Sequence, residues 1–321
     1  MLRFTHSIFA TWRDRGLLAL IGAIYNHLIA AFMRDVLQRR YIERKIHNYR
    51  MFLDLKDRGL SRSLLLFATR EVDHKVLLER IVKSDMTIYD IGANIGYYPL
   101  MELGLIGPGG KLIAIEPVAN NIQVLKKNLA LNNYQNEDSN VEVLSGAVSN
   151  STGTQSFHLS SHSNLGTFHP SGSASDLITG ETVEVPTFTV PELAGRYGPP
   201  DLIRMDVEGH EVEILDGMIE SIKTKKMQPS IIFETHLTRY SQIHSMERTL
   251  QNLFRCNYGV SLAATSQQSG TDRLAALGYT LGPPIITDGV ERVIIENIEN
   301  DHAIQLICHT GGLRTVVLSP H

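Results

Sequence analysis

Acids and imidazoles collect at the ends of short apolar runs: Asp90 with Asn94, Glu116, Asp206 with Glu208, and Glu234 with His236. Such groups can move protons, orient a hydroxyl, or hold a hard metal ion. Glu234 and His236 alternate with Thr235, so they share one face of an extended chain. With Asp206 from a neighbouring strand they form either a base pair or an oxygen-rich metal site, and Mg²⁺ is the ion such a set suits. His210 and Glu211 follow Gly209 at the start of an expected helix, where Glu211 complements the helix dipole.

Positioning these groups together requires a particular scaffold. Strands are expected over Met86–Gly92, Lys111–Pro117, Val141–Ser149, Asp201–Gly209, Ser230–His236 and, last, Ala303–Thr310. Helical patterns should follow Gly96, Asn120 and Gly209, with another near Gln242–Phe254. Alternating strands and helices imply a doubly wound, mostly parallel α/β sheet. Ligands of such sheets bind at the carboxyl ends of the strands. One polar strand end is ordinarily a helix cap, but four of them define a crevice.

The turn after the first strand reads Asp90-x-Gly92-x-Asn94-x-Gly96. A dinucleotide fingerprint needs glycine at the middle position, where this chain has Asn94. A diphosphate beside Asp90 would also meet repulsion of ~4 kcal/mol at ~4 Å and an effective dielectric near 20. The turn therefore suits a cationic ligand, and S-adenosylmethionine carries an ammonium. Glu116, twenty residues past Gly96, is spaced to reach ribose hydroxyls, as it would be for NAD. Ala147 is the expected neighbour of the adenine. The expected cofactor contacts are Asp90, Gly92, Ala93, Asn94, Gly96, Tyr97, Glu116, Pro117, Ala147 and Asp206.

The segments "YDIGANIGYY", "AIEP", "IRMDVEGHEVEILDGM" and "IIFETH", in that order, resemble the FkbM-type S-adenosylmethionine-dependent methyltransferases. The resemblance runs from about Glu71 to His236. It implies a class I, Rossmann-like methyltransferase fold with a seven-stranded sheet and methyl transfer to a hydroxyl, often of a sugar or polyketide. Relatives often carry an acid where this chain has Thr189. The alternative for the same crevice is an NAD(P)-dependent oxidoreductase.

Methyl transfer is an in-line displacement that depends on alignment. A hydroxyl acceptor needs a base or a metal to take its proton. Asp206, Glu208, His236 and His210 are the catalytic candidates: either histidine as base, with Asp206 and Glu208 orienting the acceptor. The metal candidates are Asp206, Glu234 and His236. A polar insert near 156–182 contains His158, His162 and His169, whose spacing matches no tight ligand pattern. It is expected to be a substrate loop turning at Asn164-Leu165-Gly166.

The chain has 321 residues, 43% of them hydrophobic, enough for one large domain with an extension. The expected division is an amphipathic, basic helical extension over 1–70 and a methyltransferase domain over 71–321. Two cysteines, Cys256 and Cys308, fit a reducing, cytoplasmic setting rather than a disulfide framework. No basic patch is interleaved with aromatics, which argues against nucleic acid.

Residues 1–50 carry nine Lys/Arg and three acids within a chain of net charge −4. Over Gly16–Met33, Ala19, Ala23, Asn26, His27, Ala30 and Arg34 fall on a narrow helical face. Leu17, Leu18, Ile21, Tyr25, Leu28, Ile29 and Phe32 cover the wide one. Residues 10–45 could lie in the inner face of a membrane, pack on the domain, or meet a second copy in a homo-oligomer. A spanning helix or signal peptide is the remaining reading.

Overall fold

The computed structural model describes residues 11–135, 139–170 and 177–321. The first ten residues of the expected extension and residues 171–176 of the insert lie outside these.

The N-terminal region is more than helical. Helix Leu17–Ala31 runs into a π-turn at Phe32–Val36, followed by the antiparallel hairpin β1 (Tyr41–Ile46) and β2 (Tyr49–Asp54) and by helix Leu60–Phe67. Ile46, Met51, Leu53 and Leu64 are fully buried and share a core cluster with Leu77, Tyr97 and Leu125. The hairpin and second helix thus belong to the core of the following domain.

After helix Val72–Ile81 come β3 (Thr87–Ile91), helix Tyr97–Ile106, β4 (Lys111–Glu116), helix Ala119–Leu131 and β5 (Val141–Ser145). The expected third strand stops at Gly146, whose φ is 150° and where a Cβ would lie 2.7 Å from the Pro186 carbonyl. Beyond it, β6 (Ala147–Val148) joins β7 (Gly153–Ser160) and β8 (Ile178–Phe188) in a separate three-stranded sheet. The insert is therefore the tip of a long hairpin.

Helix Val190–Tyr197 leads to β9 (Leu202–Met205). The Thr189 side chain caps that helix by accepting from the Glu192 amide, a use for hydroxyl at this position. Helices Glu211–Asp216 and Ile219–Lys223 precede β10 (Ser230–Glu234). Helix Met246–Arg255, β11 (Tyr258–Thr265), helix Gln268–Ala276, the hairpin β12 (Ile285–Thr287) and β13 (Val290–Arg292), β14 (Ile294–Ile298), helix Asn300–Ile304 and β15 (Leu313–Pro320) complete the chain.

The main sheet has eight strands in the order β14-β11-β15-β10-β9-β3-β4-β5, one more than the seven expected. β15 runs antiparallel between β10 and β11. This is the class I methyltransferase arrangement with β14 added at one edge. The strand order reverses between β3 and β9, which opens the crevice beyond their carboxyl ends. Ala303–Thr310, expected as the last strand, is helix and π-turn. Ala303, Leu306 and Ile307 are buried at helical spacing, and the strand comes only after Gly311 and Gly312.

Candidate active site

Two adjoining cavities occupy the crevice. The larger, of about 550 Å³, is lined by Gly92, Asn94, Glu116, Pro117, Ala147, Asp206, Glu208 and His210 together with Phe157, Ser163 and Phe168. The smaller, of about 410 Å³, shares Gly92, Asn94 and Asp206 with it and adds Arg70, Glu71, Ala93, Tyr97 and Arg204.

The glycine turn presses against the neighbouring strand end. Gly92 has φ 84°, and a Cβ there would sit 2.6 Å from the Asp206 carbonyl. Glu116 ends β4 and is 4% exposed. Its carboxylate accepts from the Asn94 amide at 2.9 Å, the Val118 amide at 3.0 Å and Asn121 Nδ2 at 3.0 Å. Burial still pushes its carboxyl up to about 7 against those hydrogen bonds. Phe157 and Phe168 meet edge to face at 5.1 Å, beside Ala147. Neither ring was among the expected site residues; two phenylalanines within a Ser- and His-rich stretch are the available signal.

Asp90 does not face the crevice. Along β3, Tyr89 and Ile91 point to one face of the sheet and Asp90 to the other. It is fully buried, and its Oδ1 accepts from Arg204 Nη1 at 3.1 Å, its partner in the β3–β9 register. Arg204 also donates to the Gly92 carbonyl at 3.4 Å and lies 3.9 Å over the Tyr98 ring. Asp90 and Gly96 line neither cavity. The carboxylate that does line both cavities is Asp206, which is 25% exposed and lies 3.6 Å from Arg204 Nη2.

Beyond β9 the chain reverses through Glu208, with φ 54°, and Gly209, with φ 104°. Left-handed backbone is strained for a glutamate, and such strain collects at functional sites. The turn brings Glu208 Oε2 to 3.7 Å and Asp206 Oδ1 to 3.8 Å from His236 Nε2. His236 Nδ1 lies 3.2 Å from Glu211, which is fully buried and also accepts from the Val207 amide. Burial disfavours a charged His236, but Glu211, Glu234 and Glu208 more than offset it and raise the imidazole to about 10. Burial, with Asp206 adding to it, lifts the Glu208 carboxyl to about 7. The surroundings thus favour the imidazolium form of His236 and raise the proton affinity of the Glu208 carboxyl.

Two further expectations change. Glu234, a metal candidate, instead meets Arg314 Nη1 at 2.7 Å, an arginine on β15 that also pairs with Glu71 at 2.9 Å. Asp206, Glu208 and His236 instead form one of two groups among the described residues whose ligand atoms fall within 4.8 Å of one another. His210, a candidate base, turns Nδ1 away to His169 Nε2 at 3.2 Å and Nε2 to Ser149 Oγ at 3.0 Å. Burial takes His210 down to about 4.

The insert closes over the turn. Its tip is centred on Ser163-Asn164, one residue earlier than expected, with the Leu165 amide donating to the His162 carbonyl. The Ser163 carbonyl accepts from Asn94 and Asn121 at 3.0 Å each, and Ser163 Oγ donates to Asp57 at 2.9 Å.

Hexuronic acid methyltransferase AglP of Haloferax volcanii is 27% identical over 164 residues, which are 50% of this chain and 60% of that protein. The chain thus spans less than two thirds of that relative's length. A crystal structure of methyltransferase FkbM from Methylobacillus flagellatus is 18% identical, with 73% of this chain and 52% of that one covered at a TM-score of 0.36. An S-adenosylmethionine-dependent O-methyltransferase from Thermotoga maritima is 11% identical, with 77% and 64% covered, also at 0.36. The methyltransferase FkbM domain model matches residues 90–260, from the buried Asp90 through the crevice to β11. That match spans more than half the chain and sets aside the nicotinamide alternative: the chain belongs to the FkbM family of S-adenosylmethionine-dependent methyltransferases.

Proposed function

We propose that this chain transfers the methyl group of S-adenosylmethionine to a hydroxyl of a sugar or glycosylated acceptor, with Glu208 as general base. The observation that carries the reading is Glu208 itself. It is a strained, largely buried carboxyl in the cavity wall, titrating near neutrality beside the Asp206 that both cavities share.

In this reading Glu116 meets the ribose hydroxyls, and Ala147, Phe157 and Phe168 flank the adenine. Asp206 meets the ammonium, and Arg70 in the smaller cavity meets the carboxylate of the methionine end. His236, held by Glu211 behind Asp206 and Glu208, is a positioning residue. The hexuronic acid named for the relative in Haloferax volcanii supports a sugar acceptor. The test is incubation with labelled S-adenosylmethionine and a panel of glycans, with and without hexuronic acid. Label in an O-methyl group supports the reading; label only on nitrogen or carbon removes it.

Glu208 also sets an expected pH profile. The base is its ionised form, so kcat should rise about tenfold per unit below pH 7 and level off above it. Stopped assays from pH 5.5 to 9 measure this, and a flat profile would place the base elsewhere.

A second reading is favoured by the convergence of Asp206, Glu208 and His236. An ion held there would polarise the acceptor hydroxyl. Because the set includes an imidazole, it suits a transition metal better than Mg²⁺, which keeps to oxygen. Turnover unchanged by a chelator would remove this reading.

The exposed apolar face of the N-terminal helix supports a further part of this reading, action at a membrane surface. Leu17–Val36 is 20 residues long with mean hydropathy 1.5. Ala23 and Ala30 are buried, and Asn26 Nδ2 donates to the Leu66 carbonyl, so the narrow face docks on helix Leu60–Phe67. Leu18, Tyr25 and Leu28 on the wide face are 85%, 64% and 62% exposed. A helix docked along one side and bare along the other suits lying in the interface rather than crossing it. Substituting Leu18, Ile21 and Leu28 with glutamate should abolish flotation of the full chain with anionic liposomes. Equal flotation of variant and wild type would remove the membrane reading.

A further inference from the structure

On the far side of His210 from the cofactor cavity lies a second cluster, which joins the insert to the helix after β9. His169 Nε2 is 3.2 Å from His210 Nδ1. Glu213 Oε2 is 3.4 Å from His210 Nδ1 and 3.6 Å from His169 Nε2. Three ligand atoms thus surround one point at nearly equal spacing. A tetrahedral zinc site, with bonds of about 2.0–2.2 Å, places its donors roughly 3.3–3.5 Å apart. We propose that His169, His210 and Glu213 bind one divalent transition-metal ion of the zinc class, with water completing the tetrahedron.

The surroundings suit that ligand set. Glu213 Oε2 is buried without a hydrogen-bond partner. His210 Nε2 lies 3.0 Å from Ser149 Oγ, and a proton there leaves the Nδ1 lone pair pointing at the shared centre. Glu213 Oε1 is 2.9 Å from His244 Nδ1, while His244 Nε2 donates to the Gly209 carbonyl at 2.7 Å. Both partners of His244 are acceptors, so that ring carries two protons and orients the glutamate from outside the ligand shell. Burial favours a protonated Glu213, but His169 and His244 more than offset it and keep the carboxyl ionised. Burial keeps His210 neutral. Two nitrogens and one oxygen select a borderline ion over Mg²⁺ or Ca²⁺.

Such an ion would fix the insert to the body of the domain. The His169 carbonyl already accepts from Arg239 Nη1 at 2.7 Å, and Thr167 Oγ1 donates to the Glu208 carbonyl at 3.1 Å. Between them, Phe168 lies 4.4 Å from the His210 ring and lines the larger cavity. The sequence spacing of the insert histidines gave no such signal, because two of the three ligands come from outside the insert.

The test is Co²⁺ titration of the full chain, followed by its visible d–d bands, with Zn²⁺ competition to obtain affinity. One Co²⁺ per chain with tetrahedral band intensity, displaced by Zn²⁺, is expected. His169→Ala and the near-isosteric Glu213→Gln should each weaken binding by more than about 100-fold, beyond the loss typical of second-shell changes. The exposed His309→Ala should leave it unchanged, and so should Asp206→Asn, which separates this site from the carboxylate trio. No stoichiometric binding by the wild type overturns the proposal, as does binding that both ligand variants retain or that Asp206→Asn abolishes.

Discussion

Glu208→Gln is expected to lower kcat by about 10²–10⁴-fold, the usual contribution of a positioned general base. The substitution keeps shape and the φ of 54° but removes the proton acceptor from the cavity wall. Affinity for S-adenosylhomocysteine should stay within about threefold, because Asp206 and Glu116 are untouched. The rise of activity toward pH 7 should vanish with it. His236→Gln should behave differently. Without the imidazolium, Glu208 faces Asp206 and Glu211 uncompensated, so the profile of the residual activity should shift to higher pH. Single-turnover assays with a glycan acceptor measure both. A Glu208→Gln enzyme with more than a tenth of wild-type kcat would place the base elsewhere.

Arg204→Met is expected to destabilise the fold by about 3–5 kcal/mol, the range found when one partner of a buried pair is removed. Arg204 and Asp90 have side chains 3% and 0% exposed, and Asp90 Oδ2 already lacks a partner. Without the guanidinium, Asp90 would stand charged in the sheet–helix interface or take up a proton. Adding Asp90→Leu should recover most of the loss, since apolar replacements of buried pairs are often neutral or better. Urea unfolding of the three variants measures this. A single substitution costing less than about 1 kcal/mol would mean that the pair is not structural.

This pair also shows where the sequence misleads. Asp90 stands at the tip of a strand, where an acid is read as meeting the ligand, yet period-two alternation turns it away from the crevice. The same alternation was available in the sequence: Tyr89 and Ile91 are the large apolar neighbours, and Asp90 lies between them. What was missing was Arg204, whose registry with Asp90 exists only once β3 and β9 pair. Glu234 tells the same story. Its partner Arg314 lies 80 positions later on β15, whereas the last strand is expected from sequence at Ala303–Thr310.

Local signals fared better. The turn from Gly92 to Gly96 and the strand ending in Glu116 are each encoded within a few residues and sit where expected, whereas the strand expected over Asp201–Gly209 stops at Met205, before the reversal at Glu208-Gly209. Groups assembled from distant segments, such as His169 with His210 and Glu213, or Ser163 with Asn94 and Asn121, were not legible because each member looks ordinary in its own neighbourhood. The wide apolar face of the first helix was read correctly from its periodicity, and its docking on Leu60–Phe67 explains why small residues line the narrow face.

The assignment of the cofactor's cation to Asp206 and not to Asp90 is tested most directly by calorimetric titration of S-adenosylhomocysteine into Asp206→Asn and Asp90→Asn. Loss of a charge facing the ammonium should weaken binding by about tenfold or more in the first variant, while the second stays within about threefold of wild type. The reverse order, with Asp90→Asn impaired and Asp206→Asn unaffected, would contradict it.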